Sequence, residues 1–554
     1  MLATLIVWLY TTMLMCLYGR VFIHGLRHIF RMELDDAADL SFTLLIGIVA
    51  LTFVASILNI FIPLGVISVV ILLAGGLFIL FSRRLLIPVT CKIRHPLSLI
   101  LLTFILFTVL ENATHAPSSS DTALYHAQTI RWFETYQAAP GLGNLHHRLA
   151  FNSSWLVFNA AFSFAFLGIR SFHLMSSVLF LCAALYFADG LEALIAKKTT
   201  LSVITKILFL PLSFYLLGSD ISSPATDMPV TLLTWVILIL WIEQFETGSK
   251  LGLRTVGVFL LSVFALTVKL SAIPLLGFAG FVLASYFVEK GWQRALMLGT
   301  IGMFILTPWI IRSVILSGYL VFPVSQIDLF SADWKVPIDQ VESIRNAIFS
   351  FARLPGKDWQ SSINMTVGEW ALLWFGKQTL NRQIVFLLAA FSPLILLIVR
   401  YKYPSIVTAR YTLAYFLLYA GALFWFFSAP DFRFGYGFLI GVCVLVLSPF
   451  LVDLISKSDG NMKLIPRIIF PVLLLYQAYT FGYSVDTRTL KQRLLLPADY
   501  FPARAQACDI ANGSVYCRIE GGQCNYDIFP CIPSPRPNVE MRGPTFGDGF
   551  RTIR

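Results

Sequence analysis

Apolar runs of about 18 to 22 residues recur along the whole chain and are separated by short polar segments. As a helix, a run of about 20 residues is long enough to cross a hydrocarbon core about 30 Å thick. The pattern therefore predicts an all-α polytopic membrane protein with about 14 transmembrane helices. The predicted spans are residues 2–18, 41–58, 62–82, 97–111, 172–194, 200–217, 228–246, 254–268, 271–288, 295–315, 381–399, 411–428, 434–454 and 464–484.

Lysine and arginine are concentrated in alternate connections between these spans, which are therefore predicted to face the cytoplasm. These connections contain Arg83, Arg84, Lys92, Arg94, Lys197, Lys198, Lys250, Arg254, Lys290, Arg294, Arg400, Lys402, Arg410, Lys457, Lys463 and Arg467. Connections of the opposite parity, such as IFIPLG and GSDISSPATDMP, contain no lysine or arginine. The first run lacks the basic start and cleavage site of a secretory signal, so we interpret it as a retained anchor with its N-terminus outside.

Three regions are then extracytoplasmic: the outer loops 112–171 and 316–380 and the C-terminal segment 485–554. This topology predicts a multi-pass protein of the plasma (inner) membrane, with its C-terminus on the periplasmic side. The apolar run 151–168 is not counted as a span, because an extra span would break the alternation of cytoplasmic and outer connections. Its asparagine and serine side chains favour an amphipathic helix that lies on the outer face.

The composition agrees with a membrane protein. Of the 554 residues, 57% are hydrophobic and 13% are charged, and the mean hydropathy is +0.76. A formal net charge of +11 would indicate nucleic acid in a soluble protein. Here the basic residues lie in loops between apolar runs, so we predict membrane lipid, and no nucleic acid, as a partner.

Four of the eight cysteines, Cys508, Cys517, Cys524 and Cys531, lie in the polar C-terminal segment. Their spacing contains no CxxC pair, which disfavours zinc and favours two disulfides. Disulfides would place this segment in an oxidising compartment, as the topology does independently. Four cysteines allow three connectivities, and the spacing leaves all three open.

Asp121 is a candidate for chemistry because it follows the loop-forming HAPSSS on the first outer loop. The residues from Thr122 to Tyr136 have helical periodicity and predict a helix along the membrane interface, with Tyr125 one turn after Asp121. A carboxylate in this position could accept a proton or hold a divalent cation. The alternative is that Asp121 only caps the helix. No metal ligands can be assigned from the spacing.

Further charged residues lie at the predicted outer ends of spans. Lys269, Arg312 and Arg433 together would make a cradle for phosphate, although each alone could simply extend its charged group towards the membrane surface. Asp227 begins a span and could be a helix cap or part of a site. In the first outer loop, one residue of the group His146, His147 and Arg148 is predicted to contact an anionic substrate.

Several stretches together resemble the GT-C glycosyltransferases, a polytopic class that includes protein O-mannosyltransferases and aminoarabinose transferases. They are DTALYH, SDISSPATDMPVTLLTWVIL, FALTVKLSAIPLL, TPWIIRSVILSGYLVFPVS and APDFRFGYGFL. The resemblance implies a GT-C-like fold with jaw helices on the outer face. It divides the chain into extra N-terminal helices at 1–94, a catalytic transmembrane domain at 95–484, and the cysteine-containing segment at 485–554.

The resemblance also implies an activity. The enzyme would move a sugar from a polyprenyl-phosphate donor to a glycan, lipid or protein acceptor on the outer face, with inversion. Asp121 would deprotonate or orient the acceptor hydroxyl, assisted by Tyr125 or His126. Lys269, Arg312 and Arg433, with His146, Arg148 and Asp227, would bind the substrate or its lipid phosphate. No cofactor is predicted with certainty, and a divalent cation is left open.

Two other functions fit the same profile. A lipid-linked sugar flippase or transporter would also be polytopic and basic at one face, but it should have ionisable residues near mid-membrane and internal repeats. A polysaccharide ligase or polymerase would have its key residues in one large late outer loop, and residues 316–380 could provide it.

Overall fold

The structure is a computed structural model that describes residues 1–32, 38–82, 87–246, 248, 251–354, 359–457, 464–520 and 522–553. Of the basic residues in the predicted cytoplasmic loops, Arg83, Arg84, Lys250 and Lys463 lie outside the described residues, as does the side chain of Arg467.

The described part of the chain is mainly helical. Its first helices are α1 (Leu2–Phe30), α2 (Leu40–Phe61), α3 (Val66–Phe81), α4 (Pro96–Ala113), α5 (Ala127–Thr135), α6 (Leu142–Leu145), α7 (Ser154–Ala161), α8 (Met175–Ile195), α9 (Leu201–Leu217) and α10 (Asp227–Glu246). They are followed by α11 (Leu253–Val268), α12 (Leu276–Lys290), α13 (Trp292–Ser317), α14 (Ile338–Arg353), α15 (Trp359–Ile363), α16 (Val367–Gly376), α17 (Leu380–Lys402), α18 (Ala409–Ser428), α19 (Phe432–Ser456), α20 (Leu464–Ser484) and α21 (Thr487–Arg493).

Eleven helices among the described residues are long and apolar enough to cross a membrane, or twelve if the bent pair Ile468–Ser484 and Thr487–Arg493 is one span. The predicted spans 62–82 and 254–268 correspond to α3 and α11, which have 16 residues each. At 1.5 Å per residue, each is about 24 Å long and shorter than a typical hydrocarbon core. All the predicted spans therefore fall on helices, but the predicted count of about 14 exceeds the number of full-length spans.

The first two helices cross each other closely. A side chain on Gly19 of α1 would collide with the backbone of Thr43, and one on Gly47 of α2 would collide with the backbone of Met15. Small residues allow this approach of two backbones, a common way to pack helices in membranes.

The apolar run 151–168 is not one of the candidate spans, as predicted, but its main helix is not an amphipathic surface helix. The run contains the short helix α7 and a 3-10 turn at Ala165–Leu167, and all eight residues of α7 are buried in the protein. Its polar side chains are bonded to distant segments: Ser153 donates to the carbonyl of Val268 at 2.7 Å, and Ser154 hydrogen-bonds with Thr267 at 2.7 Å. The polar residues mark contacts between helices and not a surface facing water.

The predicted helix after Asp121 is present as a π-helical turn, Thr122–His126, that continues into α5 and ends at Thr135. Its location along the membrane interface stays a prediction, but its face is not open to solvent. Six of the nine residues of α5 are buried, and Gln128 and Arg131 are bonded to backbone carbonyls between residues 525 and 528. The helix is covered by the C-terminal segment.

The C-terminal segment contains strands that the sequence did not predict. The strands are β1 (Ala505–Ile510), β2 (Gly513–Arg518), β3 (Cys531–Ile532), β4 (Val539–Met541) and β5 (Phe550–Thr552). β2 pairs antiparallel with β1 and parallel with β3, and β4 pairs antiparallel with β5. Both predicted disulfides are confirmed, and they join Cys508 to Cys517 and Cys524 to Cys531.

Candidate functional site

Asp121 lies immediately before the π-helical turn, and its carboxylate binds two arginines. Oδ1 lies 3.2 Å from Nη1 of Arg148, and Oδ2 lies 2.7 Å from Nη1 of Arg433. Within the described residues its side chain makes no hydrogen bond that caps the following helix. Helix capping therefore does not explain this aspartate, whose two oxygens each contact one guanidinium group.

Arg433 connects three carboxylates at the start of α19. Besides Asp121, its Nε lies 3.0 Å from Oδ2 of Asp431 and 3.9 Å from Oδ2 of Asp227. Asp431 also caps α19 by accepting a hydrogen bond from the backbone N–H of Arg433 at 3.2 Å. Sequence reasoning had not selected Asp431, although its position two residues before Arg433 could have suggested the pairing.

Asp227 and Lys269 form the second part of the site. Asp227 is the first residue of α10, Lys269 directly follows α11, and the Lys269 ammonium group donates a hydrogen bond to the Asp227 carboxylate. The same ammonium group lies 3.7 Å from the centre of the Phe434 ring, close enough for a cation–π contact. Asp227 is thus both at a helix N-terminus and in an ion pair.

We call Asp121, Arg148, Asp227, Lys269, Asp431 and Arg433 the Asp121 cluster. It contains three carboxylates and three cations, each within 4.0 Å of a partner of opposite charge. The cluster forms because α10 begins, α11 ends and α19 begins at the same end of the helix bundle. Each of its cations already pairs with a carboxylate but is 25–32% exposed, so a phosphate that bound there would share these cations with carboxylates or replace one of them.

Arg312 does not join this cluster, contrary to prediction. It is buried in α13, where its guanidinium group donates to the side-chain oxygens of Asn59 and, at 3.3 Å, Asn152. It also lies over the ring of Phe133, 4.3 Å from the ring centre. Among the described residues no carboxylate pairs with it. These contacts connect α13 with α2, α5 and the segment just before α7.

Tyr125 and His126, which were also predicted as site residues, follow Asp121 in the π-helical turn. The Tyr125 ring lies 5.6 Å from the guanidinium carbon of Arg148, and the Nδ1 atom of His126 is 3.2 Å from the Thr122 hydroxyl. That hydroxyl also hydrogen-bonds with Ser223 at 2.5 Å. His146 precedes His147 and Arg148 in the same loop, and its Nε2 is buried without a hydrogen-bond partner among the described residues.

Burial and charge shift the pKa values of these groups in different directions. Burial would raise the pKa of Asp121, but Arg433 and Arg148 outweigh it and lower the pKa below its usual value. Burial lowers the pKa of His126 to about 4 and raises that of Tyr125. Burial, with Arg148 nearby, also lowers the pKa of His146. At neutral pH, Asp121 is therefore ionised, whereas both histidines and Tyr125 are neutral.

The described residues contain no group of three or more histidine, cysteine, aspartate or glutamate side chains that could hold a metal ion. Within the cluster, the oxygens of Asp121 and Asp227 already contact Arg148, Arg433 and Lys269. A divalent cation would have to replace one of these contacts, so its presence stays a prediction.

A second buried polar group lies where α5 meets the C-terminal segment, and sequence reasoning missed it. Glu134 accepts hydrogen bonds from the hydroxyls of Ser171 at 2.9 Å and Tyr526 at 2.5 Å. His173 hydrogen-bonds with Ser171 at 2.7 Å and with Tyr500. The partners come from three separate parts of the chain, so no local spacing could have revealed them.

Gln128 of α5 is held by the loop between Cys524 and Cys531. Its Nε2 donates to the carbonyls of Asn525 at 3.0 Å and Ile528 at 2.8 Å, and its Oε1 accepts from the N–H of Cys531 at 3.0 Å. The loop also contacts the preceding turn, where the N–H of Asn525 donates to the carbonyl of Ala123 at 2.9 Å. The disulfide loop therefore holds the segment that carries Asp121.

Comparison with known families adds one finding. Residues 1–440 match a domain of unknown function, DUF8201. The chain belongs to the DUF8201 family. No curated protein and no solved structure matches it. The DUF8201 region includes every residue of the Asp121 cluster, whereas the disulfide-containing strands follow it in the chain.

Proposed function

We propose that this protein is a GT-C-like glycosyltransferase that moves a sugar from a polyprenyl-phosphate donor to an acceptor hydroxyl at the outer face of the plasma membrane. The observation that supports the proposal is the position of Asp121 between Arg148 and Arg433, beside the pair of Asp227 and Lys269. A carboxylate and several cations at one membrane face supply the two kinds of group that the reaction requires.

In the proposed step, the acceptor oxygen attacks the anomeric carbon of the sugar from the side opposite to the lipid phosphate. A bond forms between this oxygen and the anomeric carbon, and the bond from that carbon to the phosphate oxygen breaks. The electron pair leaves with the phosphate, and the proton of the acceptor hydroxyl passes to Asp121. A single displacement of this kind inverts the anomeric configuration.

Asp121 suits a late proton transfer. Its pKa is lowered by Arg433 and Arg148 despite its burial, so it is ionised at neutral pH but is a weak base. A weak base can first accept a hydrogen bond from the acceptor hydroxyl and then take the proton as the new bond to carbon forms. Asp121 would thus orient the acceptor before it receives the proton.

Lys269 and Arg433 would stabilise the leaving phosphate. The lipid phosphate gains one negative charge when its bond to the sugar breaks, and fixed cations aimed at a developing charge lower the barrier. Both cations are paired with carboxylates. On donor binding, the phosphate would replace a carboxylate as their partner, which would leave Asp121 available to the acceptor.

The experiment compares wild type with Asp121→Asn, each purified and supplied with radiolabelled polyprenyl-phosphate sugars and a membrane extract as the source of acceptor. Loss of a general base lowers rates by about 100-fold to 10,000-fold, so we expect transfer by the variant to fall by at least about 100-fold. If Asp121→Asn transfers label as fast as wild type, the assignment of Asp121 is wrong.

Asp499→Asn is the matched control. Asp499 also pairs with an arginine, Arg170 at 3.4 Å, but it lies outside the Asp121 cluster and is largely exposed. The control should keep wild-type activity, and both variants should unfold at about the temperature of wild type. The flippase alternative is tested in proteoliposomes with a fluorescent lipid-linked sugar. Movement of this lipid across the bilayer without transfer would overturn the glycosyltransferase proposal.

A further inference from the structure

A basic cavity of about 620 Å³ lies at the far end of α1 from the Asp121 cluster. Its walls include His24, Arg27 and His28 from α1 and Arg31 directly after it, together with Met297 from the second turn of α13 and Ile87 from the connection before α4. The Nε of Arg20 donates to the carbonyl of Ile87 at 2.7 Å, which holds this connection against α1. Side chains from three separate segments therefore enclose the cavity.

Three of the basic residues, His24, Arg27 and His28, form one stripe along α1, because side chains three and four positions apart lie on the same face of a helix. Arg31 directly follows α1 in a left-handed conformation, with a φ of 50°, and lines the same cavity. Arg27 is buried at 7% exposure, whereas His28 and Arg31 are exposed. The basic residues thus run from the interior of the protein to its surface. Arg27 already has an interaction partner, so His24, His28 and Arg31 are the groups offered as hydrogen-bond donors to an anion.

The length of α1 favours a location of the cavity at the head-group level of a membrane. α1 has 29 residues, which gives a length of roughly 43 Å and exceeds a hydrocarbon core of about 30 Å. At its start, the N–H groups of Leu2 and Ala3 donate to the carbonyls of Leu494 and Leu495 at 2.9 and 3.0 Å. A helix of this length extends beyond the core at one end or at both, and the cavity lies at the end remote from this attachment.

We propose that this cavity binds the phosphate group of an anionic membrane lipid. The exposed Arg31 matches the charge and geometry of a phosphate, His24 and His28 add donors beside it, and the buried Arg27 adds positive charge to the wall. Met297 and Ile87 supply apolar surface for the glycerol and acyl portion, which a free phosphate would not use. Basic cavities between transmembrane helices are a common form of lipid head-group site. The proposal does not depend on the glycosyltransferase activity.

The test measures lipid binding by native mass spectrometry of the purified full chain in a neutral detergent. The probes are dioctanoyl phosphatidylglycerol, dioctanoyl phosphatidylcholine and inorganic phosphate. Wild type should bind phosphatidylglycerol more tightly than the other two. Because a hydrogen bond to a charged group accounts for about tenfold or more in affinity, Arg31→Gln should weaken phosphatidylglycerol binding by about tenfold and His28→Gln/Arg31→Gln by more.

The matched control is Arg400→Gln, which removes an exposed arginine from the last turn of another span, α17. It should bind phosphatidylglycerol like wild type. Equal binding by wild type and His28→Gln/Arg31→Gln would overturn the proposal. Equal binding of phosphatidylcholine would indicate an apolar groove without phosphate recognition, and equal binding of inorganic phosphate would indicate a small-anion site. Either result would overturn the lipid assignment.

Three acidic residues, Glu33, Asp35 and Asp36, follow α1 in the sequence and lie outside the described residues. A variant with all three changed to their amides tests whether they compete for the cavity. If only this variant bound phosphatidylglycerol, the acidic segment and not a lipid would be the partner of the basic stripe, and the proposal would be overturned. We expect wild type and this variant to bind within a few-fold of each other.

Discussion

The attachment of the disulfide loop to α5 can be tested at Gln128. In Gln128→Ala, the carbonyls of Asn525 and Ile528 and the N–H of Cys531 lose their partner in a buried interface where Gln128 is 1% exposed. At about 1 kcal/mol for each hydrogen bond, the attachment should weaken by about 3 kcal/mol. This corresponds to an increase of about 100-fold in the population in which the loop is detached.

The assay is hydrogen–deuterium exchange followed by mass spectrometry of peptides that cover residues 522–532. Faster exchange should appear in these peptides, whereas peptides from α8 and α10 should exchange as in wild type. Gln137→Ala is the control, because Gln137 is close in sequence but exposed. If Gln128→Ala leaves exchange at residues 522–532 within twofold of wild type, the three hydrogen bonds do not hold the loop.

Two further predictions concern stability. His126 is neutral in the fold because burial lowers its pKa to about 4 from 6.5. Its contribution to the free energy of unfolding is therefore present above pH 6.5 and is lost as the pH falls towards 4. The melting temperature of wild type should fall more between pH 7 and 4.5 than that of His126→Gln, and equal falls would contradict this reasoning. Arg493 and Glu111 form an ion pair at 2.7 Å with both side chains 2% exposed. Arg493→Gln should destabilise the protein by about 3–5 kcal/mol in thermal unfolding, because the Glu111 carboxylate loses its arginine partner. Glu111→Leu/Arg493→Met should lose much less stability. An equal loss of stability in both variants would show that the carboxylate left without Arg493 is not the cause.

The membrane helices could be predicted because a span needs a continuous apolar run, and that requirement is visible in the sequence. The same topology places Asp121, Asp227, Lys269 and Arg433 at one predicted face, and the structure brings these four residues together. The pairing of each cation with its carboxylate could not be predicted. The sequence does not show which carboxylate each cation contacts, and Asp431 had not been selected.

Arg312 shows why a charge at the end of a helix is ambiguous. In the sequence it resembles Lys269 and Arg433, yet its partners are Asn59 and Asn152, which are 253 and 160 residues away. The polar side chains at the start of α7 were misinterpreted as a surface side for the same reason, since they bond to residues far along the chain. The C-terminal strands are only two to six residues long and have no clear alternation, so hydrophobic periodicity could not predict them.

The hydrogen bonds of Asn525 with Gln128 and Ala123 connect the disulfide loop Cys524–Cys531 to the segment that follows Asp121. Because the segment from Ala123 to Gln128 directly follows Asp121, a ligand that bound Asp121 and favoured this arrangement of the segment would also favour the attached form of the disulfide loop. Thermodynamic linkage is reciprocal, so opening the loop would then weaken binding at Asp121 by the same factor. Cys524 and Cys531 are almost fully buried. If the proposed donor binds at the Asp121 cluster, we expect it to slow reduction of this disulfide, and the rate of reduction would then report its binding.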